Sequence, residues 1–436
     1  YRSNEIGVTL DINAQRSETP YTSSMFANTA SQTKVACNNF GFVGSTRMDG
    51  ALKTLNWGVT YNRAVSFDKM VNGYVPTVST SLSNYIAAYS YGIPESDITT
   101  DNWDTFNPYQ DTNADWLSIL AYDSYMINAT GFAQPEGNTY SGLYKSNTVG
   151  DALFNMRERG SVDEYNISVG GNVENVVYWG LSVGITDLDY QRSVYYSESL
   201  GNALVPDDNG YLGNGNYEFD LDNVKTISGS GWNLKAGLIL RPINELRIGL
   251  AVHTPTWYRL SQTYDATNSF TYTPTDANGT SIGETKSGDT YTDQAFFQWR
   301  LTSPWKFMVG VAGVIGNKAI VSADYEFQGY NSMSAQLPNR YDDWGNGFQY
   351  QPDAFINNGV KDYFKNVNVV RLGLEYRVTP QISARAGYNI STSNTKNEAY
   401  DGQMEIITSG TDASFNFTKQ TQHITCGLGF RYQAWY

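Results

Sequence analysis

The sequence predicts an all-β fold, an antiparallel transmembrane β-barrel of about twelve strands in this chain, with long, partly helical extracellular loops. Three observations predict it: a composition poor in charge and rich in aromatics, a recurring period-two alternation, and connections that are short and long by turns. Charged residues are 17% and aromatics 14% of the 436 residues, with 33 Tyr, 19 Phe and 10 Trp, where soluble domains carry about 25% charged residues. Disorder is excluded, because disordered chains are aromatic-poor and charge-rich. The longest apolar run, 308–315, falls short of the roughly 18 residues of a spanning helix. A net charge of −14 and a pI near 4.6 argue against a nucleic-acid surface, which needs a basic patch. Two cysteines make neither a disulfide framework nor a zinc-type spacing. No signal-peptide pattern stands at Tyr1, so the chain reads as a mature form or a fragment.

Strands are expected at 4–14 and 36–47, bounded by a polar stretch over 15–34 and a tight connection at 48–52. In 52–65, Leu55, Trp57, Val59 and Tyr61 alternate with Asn56, Gly58, Thr60 and Asn62. Alternation of this kind marks a strand whose two faces meet different solvents. Strands at 161–172 and 175–192 flank a short turn. In 217–242, Trp232, Leu234, Ala236, Leu238 and Leu240 oppose Asn233, Lys235, Gly237, Ile239 and Arg241; in 245–262, Leu246, Ile248, Leu250 and Val252 oppose Arg247, Gly249, Ala251 and His253. The strand at 288–315 contains Pro304, which cannot donate to a ladder and predicts a kink or bulge. Ala319, Val321, Ala323 and Tyr325 give 318–329, and Val370, Leu372, Leu374, Tyr376 and Val378 give 366–378. Ile382, Ala384, Ala386 and Tyr388 give 380–391, and Ile424, Cys426, Leu428 and Phe430 give 416–433.

A soluble sandwich would alternate in the same way. The connections distinguish the two: short ones at 48–52, 170–175, 242–245, 316–318 and 379–381 alternate with long ones at 15–34, 66–160, 193–216, 263–287, 331–365 and 391–414, as in outer-membrane barrels. Aromatics at strand ends, Tyr61, Trp179, Trp257, Tyr258, Trp299, Trp305, Tyr325, Tyr376, Tyr388, Phe430 and Tyr432, are expected to form the interfacial girdles. The whole of 1–436 reads as one barrel domain in the outer membrane, with 66–160 as a large extracellular insertion.

That insertion is too long for a plain connection. Helical spacing over 82–91 (Leu82, Tyr85, Ile86, Tyr89) and 115–128 predicts two short amphipathic helices. Trp116, Ile119, Leu120, Tyr122 and Met126 are then candidates for a surface that captures a hydrophobic ligand, unless the loop only packs on itself. Asp101, Asp104, Asp111 and Asp115 could offer oxygen ligands to calcium, but lack EF-hand spacing and read more simply as a solvated acidic loop. Inward parity assigns Lys235, Arg241, Arg247, Asp324, Glu326, Arg371, Glu375, Arg377, Arg385 and Arg431 to a lumen charge network that needs partners or water. Cys37 and Cys426 are expected to stay unbridged. His253 and His423, the two histidines, stand in different strands without triad or metal patterning, so no catalytic site, metal or cofactor is expected.

Several segments resemble the FadL family of outer-membrane transporters for long-chain fatty acids and other hydrophobic compounds. They are Ser303-Pro304-Trp305-Lys306-Phe307 running through Lys318 into Ser322-Ala323-Asp324-Tyr325-Glu326-Phe327, Val370-Arg371-Leu372-Gly373-Leu374-Glu375-Tyr376-Arg377 followed by Arg385-Ala386-Gly387-Tyr388, and Leu246-Arg247-Ile248-Gly249-Leu250-Ala251 before Thr254-Pro255. The resemblance implies a barrel of about fourteen strands, an N-terminal hatch, capture of ligand by extracellular loops and lateral exit beside a kinked third strand. On that reading a hatch and a closing hairpin lie outside this sequence. The implied function is passive, hatch-gated uptake of a hydrophobic, fatty-acid-like molecule or lipid. Some relatives instead serve as scaffold subunits of outer-membrane secretion or surface-assembly complexes, with protein partners.

Overall fold

Residues of alternating character form strands because successive side chains leave opposite faces of an extended chain, and in this chain those strands line up in antiparallel order. A computed structural model describes residues 4–18, 29–100, 105–133, 137–316, 318–338, 349–397 and 419–430. The elements in order are β1 (Glu5–Glu18), β2 (Thr29–Arg47), β3 (Leu52–Ser66), β4 (Lys69–Val75), α1 (Leu82–Tyr89), α2 (Pro108–Asp111), α3 (Trp116–Asp123), β5 (Ile127–Ala133), β6 (Gly137–Gly142) and β7 (Val149–Val173). They continue as β8 (Val177–Pro206), β9 (Leu212–Ile243), β10 (Leu246–His253), β11 (Trp257–Pro274), β12 (Lys286–Tyr291), β13 (Ala295–Thr302), β14 (Lys306–Ile315) and β15 (Ala319–Gln328). The last are β16 (Ser334–Pro338), β17 (Tyr350–Pro352), α4 (Ala354–Tyr363), β18 (Val367–Arg377), β19 (Ile382–Ser391) and β20 (Thr421–Phe430).

All of the expected strands are present, and around the wall they pair antiparallel in the order β1, β2, β3, β7, β8, β9, then β10 with β11 above it, β14 with β13 above it, β15, β18, β19 and β20. Two are interrupted. The expected 245–262 strand is β10 and β11, broken at Thr254-Pro255-Thr256, and 288–315 is β12, β13 and β14, broken again at Ser303-Pro304-Trp305. Both prolines fall at one level of the sheet, because His253 pairs with Lys306 below the break and Trp257 with Thr302 above it. Ser303 fills the gap in the ladder: its Oγ accepts from the Thr256 N–H at 2.8 Å and its own N–H donates to the Thr256 carbonyl at 3.0 Å.

The outward face carries an apolar band. Trp57, Val59, Ile167, Leu181, Val183, Ile185, Leu234, Leu250, Val309 and Leu372 are all exposed, as side chains facing lipid must be. Trp232 and Trp257 pack together outside at 4.5 Å between centroids, Tyr61 and Tyr165 at 5.4 Å. Just above the latter pair Arg63 meets Asp163 at 2.9 Å, so the band ends there. Near the opposite rim Trp179 lies across Gly171, where a Cβ would stand 2.7 Å from its Nε1. Tyr258 and Trp299, expected in the girdles, instead share the inward parity of buried Leu260. Tyr432 lies outside the described residues. Cys37 and Cys426 are exposed, free thiols on β2 and β20.

The strands are far longer than a bilayer demands. β9 has 32 residues and β8 has 30, against the roughly 9–11 residues of a tilted spanning strand. The stretches 193–216 and 263–287, expected as loops, are mostly strand and form with β7 a tall extracellular wall. Its inner face is covered by the insertion, whose true span is 76–148. There α1 and α3 occupy the two expected helical stretches, with the β5–β6 hairpin behind them.

Candidate functional site

The lumen holds a cavity of about 650 Å³. Small inward residues open it: Gly58, Ser168, Gly170, Gly180, Ser182, Gly237, Gly249 and Ala251 line it from five strands. At its upper end stand Lys235 and His253, level with the proline breaks. Glu164 on β7 takes Lys235 Nζ at 2.5 Å and Asn233 Nδ2 at 2.9 Å, and Lys235 also donates to Asn166 at 2.9 Å. Asn233 donates to Thr256 Oγ1 at 3.0 Å, tying the cluster to the broken strand. The group spans three strands only because Gly184 stands between: a Cβ there would lie 2.6 Å from Asn233 Oδ1 and 2.7 Å from Glu164 Oε1. Around the same level Lys306 pairs with His253, and Glu326, 5% exposed, binds Arg371 at 2.7 Å. Among the described residues Lys306 has no ion-pair partner.

Of the lumen charges expected from parity, Glu326–Arg371 and Glu375–Arg385 (2.8 Å) are paired. Asp324 stands opposite Arg371 and folds over Gly310. Arg247 is half-buried on β10, Arg241 donates to Asn244 at 2.8 Å, and Arg377 is exposed near the rim. Arg431 lies outside the described residues. Glu164, Asn166 and Asn233 were not singled out by sequence. The polar face of β7 carries two of them, but their link to Lys235 depends on a register two strands wide.

Above this belt of lumen charges, Glu164–Lys235 and Glu326–Arg371, the insertion seats on the inward side chains of the wall. Leu117, Leu120, Ala121, Met126 and Ile127 share one buried cluster with Leu200, Tyr217, Phe219, Leu221, Tyr264 and Tyr272. The nominated capture residues are therefore placed inside the fold: Ile119, Leu120 and Met126 are at most 1% exposed, while Trp116 and Tyr122 are half-buried against the cluster. They do not form an open surface in this conformation, because α3 is wrapped on all sides. Asp115 caps α3 through the Leu117 N–H at 2.9 Å, and Asp111 accepts from the Asn107 N–H at 2.7 Å. Those carboxylates are thus occupied in helix termini, and Asp101 and Asp104 lie outside the described residues.

Glu198, 2% exposed on β8, receives Ser81 Oγ at 2.5 Å, the Leu82 N–H at 2.8 Å and Tyr196 Oη at 2.6 Å. It fastens the N-terminus of α1 to the wall. Burial pushes its carboxyl above the usual carboxylate range, against the three hydrogen bonds that pull it down. The seated insertion therefore binds more protons than an unseated one. Seating is most favoured below about pH 4 and weakens as pH rises through the elevated value. We expect amide exchange in α1, corrected for its intrinsic rate, to show falling protection over that window, and Glu198→Gln to flatten the dependence. Unchanged pH dependence in that variant would contradict the assignment.

The wall also forks. Pairing of β2 with β3 ends at Asn39 and Asn62, and β3 breaks before β4 at Phe67-Asp68. A polar cavity of about 300 Å³, lined by Asp11, Asn13, Gln32, Lys34 and Asp68, fills the fork, bridged by Lys34 and Asp68 at 2.7 Å. The third strand is thus interrupted, without proline.

The inward polar lumen, outward apolar band and ordered antiparallel strands decide the class. The chain is an antiparallel transmembrane β-barrel of the outer-membrane type. No family model and no curated protein matches the sequence. Among solved structures it is similar to the Pseudomonas putida toluene transporter TodX, at 11% identity over 99% of this chain and 80% of that one, TM-score 0.38. A TodX deltaS2S3 mutant, described as a monoaromatic hydrocarbon channel, gives 11%, 99%, 82% and 0.42. The CymD monoaromatic hydrocarbon channel gives 12% identity over 71% of this chain and 78% of that one, TM-score 0.30. These are channels of the FadL type, the family the sequence resembles. Likeness at this distance assigns no function, and the barrel rests on this chain's own strands.

Proposed function

We propose that this barrel takes up hydrophobic small molecules, fatty-acid-like amphiphiles among them, by passive passage through the outer membrane without chemistry. The observation that supports it is the 650 Å³ lumen cavity, glycine-lined at membrane depth, with Lys235 and His253 at its upper end and Lys306, without an ion-pair partner among the described residues, beside them. Small residues leave room for a chain or ring, and an unpaired cation favours an anionic head. A hatch, as the family resemblance implies, would control the periplasmic side.

Proteoliposomes should take up a fluorescent fatty acid and an aromatic probe faster than empty vesicles. Lys306→Met should weaken fatty acid binding by about tenfold, one charge-assisted contact, and spare the aromatic. No binding of either class by the folded protein would sink the reading. A second reading, a scaffold subunit with protein partners, is favoured by the tall wall, whose outer face presents Glu218, Asp220, Asp222, Thr267, Ser269 and Asp289 to solvent. Stoichiometric proteins retained in mild detergent would support it.

A further inference from the structure

The uptake reading needs a way past the insertion, and this inference rests on that reading. We propose that the described residues of the insertion, 76–100, 105–133 and 137–148, form a hinged gate, which opens the lumen to the outside by swinging as a body away from β9 and β11.

Its two ends leave the wall side by side. Val75 pairs with Ala152, and the Val78 N–H donates to the Gly150 carbonyl at 3.0 Å, so both chain connections lie on one line. The body has its own buried residues, Ile98 and Ile119, each 0% exposed and outside the cluster shared with the wall. Seams inside the body are satisfied: Ser90 Oγ meets Ser118 Oγ at 2.7 Å, and the Leu143 N–H donates to Ser83 Oγ at 2.9 Å.

The seam against the wall mixes bonded and unbonded groups: the Tyr217 hydroxyl donates to the Ser124 carbonyl and Glu198 holds the N-terminus of α1, but other buried polar atoms on it are left over. Among the described residues, Asn268, 0% exposed on β11, gives its side-chain amide only to the Met126 thioether at 3.4 Å, and its Oδ1 has no partner. Trp116 Nε1, against Tyr264, has none among the described residues either. Buried polar atoms without partners cost free energy that water returns when the seam opens. Tyr125 adds backbone strain: it follows α3 with φ 58°, a left-handed conformation that favours glycine, and its ring rests on Phe270 and Tyr272 of the wall. A static plug would gain from repairing these defects. A two-position element needs a closed state that is not too stable.

The test replaces Cys37 and Cys426 by serine, then pairs Met126→Cys with Asn268→Cys, whose side chains meet across the seam. Bridging the two thiols with a short bis-methanethiosulfonate crosslinker should cut uptake of a fluorescent fatty acid into proteoliposomes by about tenfold or more, and reduction should restore it. Equal uptake in both states overturns the gate and leaves the uptake reading standing; no uptake even by the wild-type and reduced proteins overturns the uptake reading. A second measurement is independent of transport. In single variants, an impermeant maleimide should label Met126→Cys, on the seam, about tenfold or more faster than Ile119→Cys, inside the body. Equal rates would mean that the insertion unfolds rather than swings, and would overturn the gate.

Discussion

Tyr217→Ala is expected to loosen the insertion by about 3–5 kcal/mol, the range for removing a fully buried aromatic side chain. Tyr217 is 0% exposed on β9. Its ring stacks on Tyr272 at 5.9 Å with 6° between planes and on Phe270 at 6.3 Å, and its hydroxyl donates to the Ser124 carbonyl at the end of α3. Truncation therefore leaves a void among rings and an unpaired carbonyl together. At about 1.4 kcal/mol per factor of ten, the open population rises by roughly two to four orders of magnitude. Limited proteolysis should cut within 76–148 while the membrane-spanning strands stay protected. Tyr217→Phe keeps the ring and loses the hydroxyl, so it should cost about 1–3 kcal/mol. Protection of the insertion unchanged in Tyr217→Ala would contradict its role as the seat.

What could be read from sequence divides along the membrane surface. At Trp232–Leu240 the outward face meets lipid, so apolar and polar residues separate cleanly and the strand is legible. Higher on the wall Ser193, Tyr195, Ser197 and Ser199 face water, while Val194, Tyr196, Glu198 and Leu200 face the insertion. The period of two persists there, but polar residues appear on both faces, and the stretch reads as loop. Helical spacing located α1 and α3 but not what their apolar faces meet. Spacing marks which positions of α3 are apolar, and it does not tell whether Ile119 or Met126 meets solvent, a neighbouring helix or the wall. The breaks differ as well. Pro304 announced one, whereas the interruption at Phe67-Asp68 follows from the parting of β2 and β3, a property of pairing that no single residue carries.

The lumen belt gives the other large expected effect. Glu164→Ala should destabilise the barrel by about 3–5 kcal/mol, because removing one partner strands the rest of a buried charge network. Lys235 would lose its carboxylate at 2.5 Å, and Asn233 an acceptor at 2.9 Å. Lys235 and Glu164 side chains are 21% and 13% exposed, so lumen water softens the loss toward the lower end of that range. Unfolding from lipid vesicles by urea would measure it. Stability and selectivity can then be separated by replacing both partners, as Glu164→Leu with Lys235→Met. An apolar pair of similar volume often restores stability to near the starting value, so most of the loss should be recovered. Fatty acid binding should not recover with it if Lys235 helps to hold the head group, since the apolar pair offers no cation. Recovery of both would make the belt purely structural and leave Lys306 to carry the selectivity alone; recovery of neither would mean that Glu164 acts through Asn166 and Asn233 rather than through its charge.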